Sequence, residues 1–221
     1  MAFATPEPVA LAILAKAPMA GAVKTRLIPA LGAEGAAKLH ARLIERTVKT
    51  ACAAATGPVT LWVTPAPPHP YFTALASRAP IGLAGQPDGD LGARMLAACQ
   101  AAAAVPVIVI GSDCPALTPA HLHQAAAALR ENSDVVMIPA EDGGYVLIGS
   151  RQPQPVLFDG MRWGADTVMA ETRRRVAQHR LTLRELPCLW DVDRPEDLAR
   201  LRATGLGHLL DGATACPQAR A

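Results

Sequence analysis

Three cationic side chains stand close together near the start of the chain, in the segment ILAKAPMAGAVKTRLIP at residues 13–29. Lys16 follows a run of small apolar residues, and Lys24 and Arg26 come just before the end of the segment. Side chains of this kind can hold a polyphosphate through charge-assisted hydrogen bonds. A Walker A phosphate loop is excluded, because Val23 stands where that loop requires its second glycine. From this segment alone, a solvated basic loop is an equally good interpretation.

An acidic residue follows the most hydrophobic run of the protein, VPVIVIG at residues 105–111. An unbroken β-branched run predicts a central parallel strand that is covered on both faces. Asp113 follows this strand, and an ionised carboxylate avoids the protein interior unless it is paired. Capping of the next helix would explain Asp113, but Thr118 and Pro119 form a better helix start. We therefore favour Asp113 as a ligand for Mg²⁺, which keeps waters and phosphate oxygens as its other ligands.

A second acidic group lies in LWDVDRPEDL at residues 189–198. We expect Asp193 to cap a helix that begins at Pro195, with acidic residues in its first turn. This structural interpretation leaves Asp191 unexplained, so Asp191 is available as a second metal ligand.

Two further segments combine turn residues with groups that could contact a substrate. Glycines follow Asp142 in EDGGY (141–145), where they predict a hairpin turn and also permit close backbone approach to a ligand. In RWGADT (162–167), capping explains Asp166, and substrate contact could explain Trp163.

The elements that must position these groups are apolar strands that alternate with amphipathic helices. A helix is predicted over residues 33–55, and the whole pattern predicts a three-layer α/β/α domain with a mostly parallel, doubly wound sheet. Ligands of such sheets bind outside the carboxyl ends of the strands, where all of these candidates are expected. We expect one domain over residues 1–210 and a flexible tail over 211–221.

Composition narrows the possible partners. The formal net charge of +2 gives no global field that would favour nucleic acid. The five cysteines are scattered and form no CxxC pair, so we expect neither a disulfide framework nor a zinc site, and a cytoplasmic location. The first apolar run, residues 9–15, is too short to span a membrane. Nothing indicates the oligomeric state.

Taken together, the motifs resemble the nucleotide-diphospho-sugar transferase superfamily, which has the glycosyltransferase-A fold. Within it the chain is similar to the bacterial glycosyltransferase-like, radical-SAM/selenodomain-associated transferase family, a relative of 2-phospho-lactate guanylyltransferase. The motifs that carry the resemblance are AKAPMAGAVKTRL, QPDGDLGARM, IGSDCPAL, AEDGGYVLIG, RWGADTVMAET and WDVDRPEDL.

The resemblance implies roles for particular residues. Lys16, Lys24 and Arg26 would bind the nucleotide phosphates and act in catalysis together with Asp113, and Asp113 would bind Mg²⁺ or Mn²⁺ with Asp191 or, as a weaker candidate, Asp193. The implied nucleotide-binding residues are Ala15, Lys16, Lys24, Arg26, Gln86, Asp90, Leu91 and Gly92. The implied substrate-binding residues are Asp142, Gly143, Gly144, Trp163, Asp166 and Thr167.

The resemblance leaves three functions to compare. The favoured one is metal-dependent nucleotidyl transfer from a nucleoside triphosphate to a small phosphorylated acceptor, with release of pyrophosphate. Sugar transfer from a nucleotide-diphospho-sugar is the first alternative, although Pro115 stands where glycosyltransferases of this fold usually carry the second Asp of an Asp-x-Asp motif. The second alternative is a nucleotide-binding protein without catalytic activity.

Overall fold

A computed structural model describes residues 6–66, 68–102 and 104–213 of the chain. Seven strands form one sheet in the order β3-β2-β1-β4-β6-β5-β7. The strands are β1 (Ala10–Lys16), β2 (Val59–Thr64), β3 (Gly82–Gly85), β4 (Val107–Ile110), β5 (Val135–Pro139), β6 (Tyr145–Ser150) and β7 (Leu183–Glu185).

Strand direction divides the sheet into two parts. Strands β1, β2, β3 and β4 are parallel, whereas β6 runs antiparallel to both of its neighbours, β4 and β5. The four residues of β4 are all buried, and β4 is the middle strand, as the unbroken apolar run predicts. The turn at residues 141–144 joins β5 to β6 in a hairpin. The predicted doubly wound, mostly parallel sheet is therefore confirmed.

Helices cover both faces of the sheet. They are α1 (Ile28–Ala54), α2 (Pro70–Ala76), α3 (Leu91–Ala101), α4 (Pro119–Arg130), α5 (Val168–Gln178) and α6 (Pro195–Ala203). Apolar side chains of α1, α2 and α4 pack on one face, and those of α3 and α5 pack on the other. A third cluster joins the first half of α1 to α6. These three layers are the predicted α/β/α arrangement.

Two local predictions need correction. Helix α1 starts at Ile28, earlier than predicted, but Gly32 has φ 70° and ψ 166°, so its long regular part begins after that residue. The residue that caps α6 is Arg194, not Asp193. The carboxylate of Asp197 accepts hydrogen bonds from the backbone amides of both residues, and this closes the first turn without the side chain of Asp193.

The end of the described chain packs against α1. Ala213 is fully buried in the third cluster, and its carbonyl lies so close to Gly35 that a Cβ there would come within 2.0 Å of the oxygen. The rest of the predicted tail, including Cys216, lies outside the described residues. Over residues 6–66, 68–102 and 104–213, no helix combines the length and apolar character needed to cross a membrane.

Candidate active site at the carboxyl edge of the sheet

In the loop after β1, the side chain of Lys24 is buried and that of Arg26 is exposed. Lys16 ends the strand, and its Nζ donates a hydrogen bond to the carbonyl of Ala22 at 2.9 Å. Lys24 has left-handed backbone angles (φ 47°, ψ 42°), and its side chain is only 4% exposed. Two residues later, the side chain of Arg26 is 68% exposed. A non-glycine residue with positive φ is uncommon, so the inward position of Lys24 is a specific feature of this loop.

Lys24 meets Asp113, the acid that follows β4. Lys24 Nζ lies 2.7 Å from Asp113 Oδ2, and Ser112 Oγ donates to Asp113 Oδ1 at 3.3 Å. Burial opposes ionisation of Asp113, but the charges of Lys24 and His40 and the hydrogen bonds outweigh it and hold the pKa of Asp113 below its ordinary value. Asp113 is therefore an ionised carboxylate whose side chain is 42% exposed.

His40 of α1 is a neighbour of Asp113 that the sequence did not single out. Its Nε2 donates to the carbonyl of Lys16 at 3.0 Å, and its Nδ1 lies 3.9 Å from Asp113 Oδ1 without a hydrogen-bond partner. Burial lowers the pKa of His40, and the charge of Asp113 only partly opposes this. The sequence feature that could have indicated His40 is its position on the apolar face of α1, next to Leu39 and one helical turn before Ile44.

Arg26 forms an ion pair with Asp193. Both side chains are exposed, and the pair joins the basic loop to the segment that precedes α6. Asp193 is not among the residues that line the cavity described next, whereas Asp191 is. The two acids that the sequence offered as a second metal ligand therefore face different surroundings.

A cavity of about 270 Å³ opens at the carboxyl edge of the sheet, between the end of β4 and the β5–β6 hairpin. One part of its wall is apolar and the other part carries carboxylates. Its lining residues are Leu91, Gly111, Asp113, Cys114, Ala140, Asp142, Gly144, Tyr145, Val146, Trp163, Gly164, Ala165, Val168 and Asp191.

The pKa of Asp191 responds to the other carboxylates of this cavity. Burial is the largest effect on Asp191, and the charge of Asp142 adds to it, so that the pKa of Asp191 rises to about 6. The charge of Lys24 opposes the rise, and that of Asp113 contributes to it. No Lys, Arg or His is among the described residues that line the cavity. The cavity therefore has an excess of negative charge.

The two predicted substrate-binding segments pack directly against each other. A Cβ on Gly143, whose φ is +90°, would come within 2.0 Å of the carbonyl oxygen of Asp166. The amide of Met169 donates to the Gly143 carbonyl at 2.8 Å. Close backbone approach at Gly143 is thus to the protein's own 162–167 segment. Asp166 and Thr167 are exposed and lie outside the cavity lining, whereas Asp142 and Gly144 belong to it.

Trp163 forms part of the apolar wall. A Cβ on Gly92 would come within 2.7 Å of its ring, so a glycine is required at that point of α3. The ring of Tyr145 meets that of Trp163 edge to face, with centroids 6.5 Å apart. Leu91, which lines the same wall, is 45% exposed. Tyr145 is a cavity residue that the sequence pattern gave no reason to choose.

Gln86 and Asp90 have structural partners of their own. Gln86 Nε2 donates to the carbonyls of Ala15 and Trp62, at 3.1 and 2.8 Å, and so joins the ends of β1 and β2. Asp90 caps α3 by accepting a hydrogen bond from the amide of Ala93 at 2.8 Å. These contacts account for both side chains, and their predicted role in nucleotide binding stays a prediction.

Arg200 of α6 braces the acidic part of the cavity from outside. Its guanidinium forms a bidentate ion pair with Glu141 and lies 4.5 Å from the centre of the Trp190 ring. Glu141 precedes Asp142 and Trp190 precedes Asp191, so one guanidinium contacts the chain neighbours of two of the three cavity carboxylates.

The carboxylates of the cavity are suitable ligands for a divalent cation such as Mg²⁺. In the described part of the chain, no three His, Cys, Asp or Glu side chains are grouped closely enough to hold an ion by themselves. Two carboxylates of one cavity, Asp113 and Asp191, are nevertheless the type of ligand that Mg²⁺ or Mn²⁺ uses when it keeps waters and phosphate oxygens.

Comparison with solved structures supports the fold. A crystal structure of a candidate nucleotide-diphospho-sugar transferase from Desulfovibrio desulfuricans G20 matches with a TM-score of 0.78 and 27% identity, over 94% of this chain and 99% of that one. A CMP:2-keto-3-deoxy-manno-octonic acid synthetase complexed with CTP matches with a TM-score of 0.62 and 12% identity, over 91% and 99%.

A glycosyl-transferring enzyme is also similar in structure. The glucosyl-3-phosphoglycerate synthase of Mycobacterium tuberculosis, in complex with Mn²⁺, UDP and glucosyl-3-phosphoglycerate, matches with a TM-score of 0.52 and 12% identity, over 96% of this chain and 82% of that one. At such identities the likeness to these enzymes is one of fold. No curated protein matches the chain.

A family model described as "Uncharacterized protein conserved in bacteria (DUF2064)" matches residues 47–165, a little over half of the chain. The matched region runs from the second half of α1 to the 162–167 segment, and it includes Asp113 and the β5–β6 hairpin. The chain therefore belongs to the DUF2064 family and has the fold of the nucleotide-diphospho-sugar transferases.

Proposed function

We propose that the protein is a metal-dependent nucleotidyltransferase, which transfers a nucleotide from a nucleoside triphosphate to a small phosphorylated acceptor and releases pyrophosphate. The observation that carries the proposal is the meeting of Lys24 and Asp113 beside a carboxylate-lined cavity at the carboxyl edge of the sheet. The relatives named above as nucleotidyl- and glycosyltransferases support a nucleotide substrate for this fold.

The basic loop would bind the triphosphate. Lys16, Lys24 and Arg26 offer ammonium and guanidinium donors from one short segment, and they would neutralise the departing pyrophosphate. Because phosphoryl chemistry needs positioning and charge neutralisation more than covalent catalysis, a loop that carries three cations beside the carboxyl edge of the sheet is suited to it. The nucleoside would lie toward Ala15, Gln86 and the start of α3.

Asp113 and Asp191 would hold Mg²⁺ or Mn²⁺. When bound, such an ion supplies charge neutralisation at the reacting phosphate and orients its oxygens. Asp113 offers an ionised carboxylate that is open to the cavity, whereas Asp191, with its pKa raised to about 6, is the carboxylate that gains most from a cation. Asp193, which pairs with Arg26, is the weaker candidate for the metal.

The acceptor would occupy the cavity between Trp163 and the hairpin. The described lining of the cavity contains no basic side chain. The phosphate of the acceptor would therefore bind near Asp113, where Lys24 supplies a positive charge. The remainder of the acceptor would contact the aromatic wall and Asp142. An acceptor panel should therefore compare phosphate and phosphonate compounds whose tails are neutral, acidic or ammonium-bearing.

The test measures which product is released. The purified protein is incubated with each common nucleoside triphosphate, Mg²⁺ or Mn²⁺ and the acceptor panel, and pyrophosphate is assayed. Asp113→Asn should lower kcat by about 10²–10³-fold, as loss of a charge-stabilising group does. The matched control is Asp159→Asn, an exposed acid outside the cavity, which should retain more activity.

The alternatives give different results in the same experiment. Release of nucleoside diphosphate from a nucleotide-sugar would identify a glycosyltransferase. Tight nucleotide binding without turnover over the whole panel would identify a binding protein. Full activity of Asp113→Asn would refute the proposed metal site.

A further inference from the structure

The carboxylate proposed to bind the metal is already occupied by a cation of the protein itself. Lys24 Nζ lies 2.7 Å from Asp113 Oδ2, and the other carboxylate oxygen faces Ser112 and His40. The Lys24 side chain is 4% exposed, so its charge is shielded from water and directed at this one acid. A divalent cation that approached Asp113 would meet a positive charge within a few ångströms.

A second ion pair repeats the arrangement two residues further along the chain. Arg26 pairs with Asp193, so two of the three side chains proposed to bind phosphate contact an acid of the protein itself. Lys16 differs, because its Nζ donates to a backbone carbonyl of the loop. The loop is thus attached to acids of two different segments through the groups that would have to bind the triphosphate.

The backbone of Lys24 has left-handed angles. Its left-handed conformation is uncommon for a residue other than glycine, so the surroundings of Lys24 must hold it in place. The Lys24 ammonium forms its ion pair with Asp113 from this conformation.

We propose that Lys24 regulates metal entry: it substitutes for the divalent cation at Asp113 until a triphosphate draws the ammonium away. The proposal rests on the proposed function. It follows that metal and nucleotide bind with positive coupling, and that the protein without nucleotide has weak affinity for the metal. Reciprocity requires the metal to strengthen nucleotide binding by the same factor.

The test measures Mn²⁺ binding to the nucleotide-free protein by electron paramagnetic resonance, which needs no catalytic turnover. Lys24→Met keeps the length of the side chain and removes its charge, so it should bind Mn²⁺ at least about tenfold more tightly than the wild type. Lys24→Arg keeps the charge and should show no such gain. Lys24→Gln serves in the same way as Lys24→Met if the latter does not fold.

Control variants fix the location of the effect. Asp113→Asn added to Lys24→Met should abolish the gain. Lys49→Met removes an exposed charge of α1 far along the helix and should leave Mn²⁺ affinity unchanged. Lys16→Met removes a charge of the same loop that does not contact Asp113, and its effect should be smaller than that of Lys24→Met.

The outcomes separate this proposal from the proposed function. Mn²⁺ binding by Lys24→Met that is no tighter than in the wild type, or that does not depend on Asp113, would overturn the regulatory role even if pyrophosphate is released. Absence of Asp113-dependent Mn²⁺ binding in every variant, together with absence of pyrophosphate release, would overturn the proposed function itself.

Discussion

His40 connects the end of β1 to Asp113 through the two nitrogens of one ring: Nε2 lies 3.0 Å from the Lys16 carbonyl, and Nδ1 lies 3.9 Å from Asp113 Oδ1. A carbonyl can only accept, so Nε2 carries the proton. In the neutral ring Nδ1 is then a bare acceptor that faces a carboxylate. His40 thus holds the end of β1 through Nε2, while its Nδ1 faces Asp113 without a hydrogen bond.

The first prediction concerns the stability that His40 contributes. Burial lowers the pKa of His40 below its ordinary value of 6.5, so the unfolded chain binds the extra proton more readily. Stability is therefore lost as pH falls below that value. His40→Gln keeps a donor for the Lys16 carbonyl and removes the titration, so its stability should depend less on pH. Urea unfolding from about pH 5 to pH 8 measures this.

His40→Ala provides the comparison for that measurement. It removes both the hydrogen bond and buried volume, and it should cost roughly 2 kcal/mol at neutral pH. An unchanged pH dependence in His40→Gln would show that other groups cause the acid sensitivity.

The second prediction concerns Asp191 in metal-free protein. Its pKa rises from 3.8 to about 6 on folding, so the folded state binds the proton more tightly than the unfolded chain. Stability therefore falls as pH rises through this window, and the full cost is present above it. Asp191→Asn should be more stable than the wild type at neutral pH by about 1 kcal/mol, because water screens this partly exposed carboxylate and reduces the energy that the full pKa shift would give.

Thermal unfolding in the presence of a chelator tests the sign of this effect. The gain should shrink as pH is lowered toward the ordinary pKa of an aspartate. Asp193→Asn is the control: it removes an exposed partner of Arg26 and should cost ~1 kcal/mol or less. A destabilised Asp191→Asn at neutral pH would contradict the charge excess inferred for the cavity.

The third prediction concerns the contact between the hairpin and the 162–167 segment. Gly143→Ala would place a Cβ within 2.0 Å of the Asp166 carbonyl, and the φ of +90° is unfavourable for alanine. We expect a loss of about 2–4 kcal/mol in chemical denaturation, from backbone strain and overpacking together. Gly111→Ala is the matched substitution, because a Cβ there meets nothing within 4 Å. Similar losses in both variants would refute the packing role of Gly143.

The fourth prediction concerns Trp163 as part of the acceptor cavity. Its ring lines the cavity, so a bound acceptor should change the intrinsic fluorescence of the protein. Trp163→Phe should remove that signal and weaken acceptor binding by roughly tenfold, as loss of a large aromatic contact does. Trp62, which is outside this cavity lining, provides a control through Trp62→Phe. Persistence of the signal in Trp163→Phe would place the acceptor elsewhere.

The sequence predicted the fold well because its strands and helices have strong periodicity. The unbroken run before Asp113 became the middle strand, and the helix after Gly32 became the regular part of α1. Asp193 was wrong as a helix cap, because it lies one residue before the N-cap position, Arg194, and its carboxylate pairs with Arg26 instead. The sequence does not reveal this ion pair between distant segments.

The candidate site was predicted less completely, since its contacts join distant parts of the chain. The pairing of Lys24 with Asp113 spans 89 residues by their numbers, and no periodicity reveals it. His40 and Tyr145 belong to the surroundings of the site only through tertiary packing. At Gly143 the sequence permitted close approach of the backbone to a ligand. In the structure, the group that approaches Gly143 is the backbone of Asp166.

The antiparallel course of β6 has a consequence for how this protein can diversify. Because β6 lies between β4 and β5, the hairpin tip with Asp142 reaches the cavity beside Asp113 while the register of β4 with β6 is set elsewhere, along the strands. Apart from Gly143, which packs against the 162–167 segment, the tip can therefore change in composition without disturbing the parallel strands that present the basic loop. Substitutions in the hairpin tip would then change which acceptor binds, without changing the part of the fold that would bind the nucleotide.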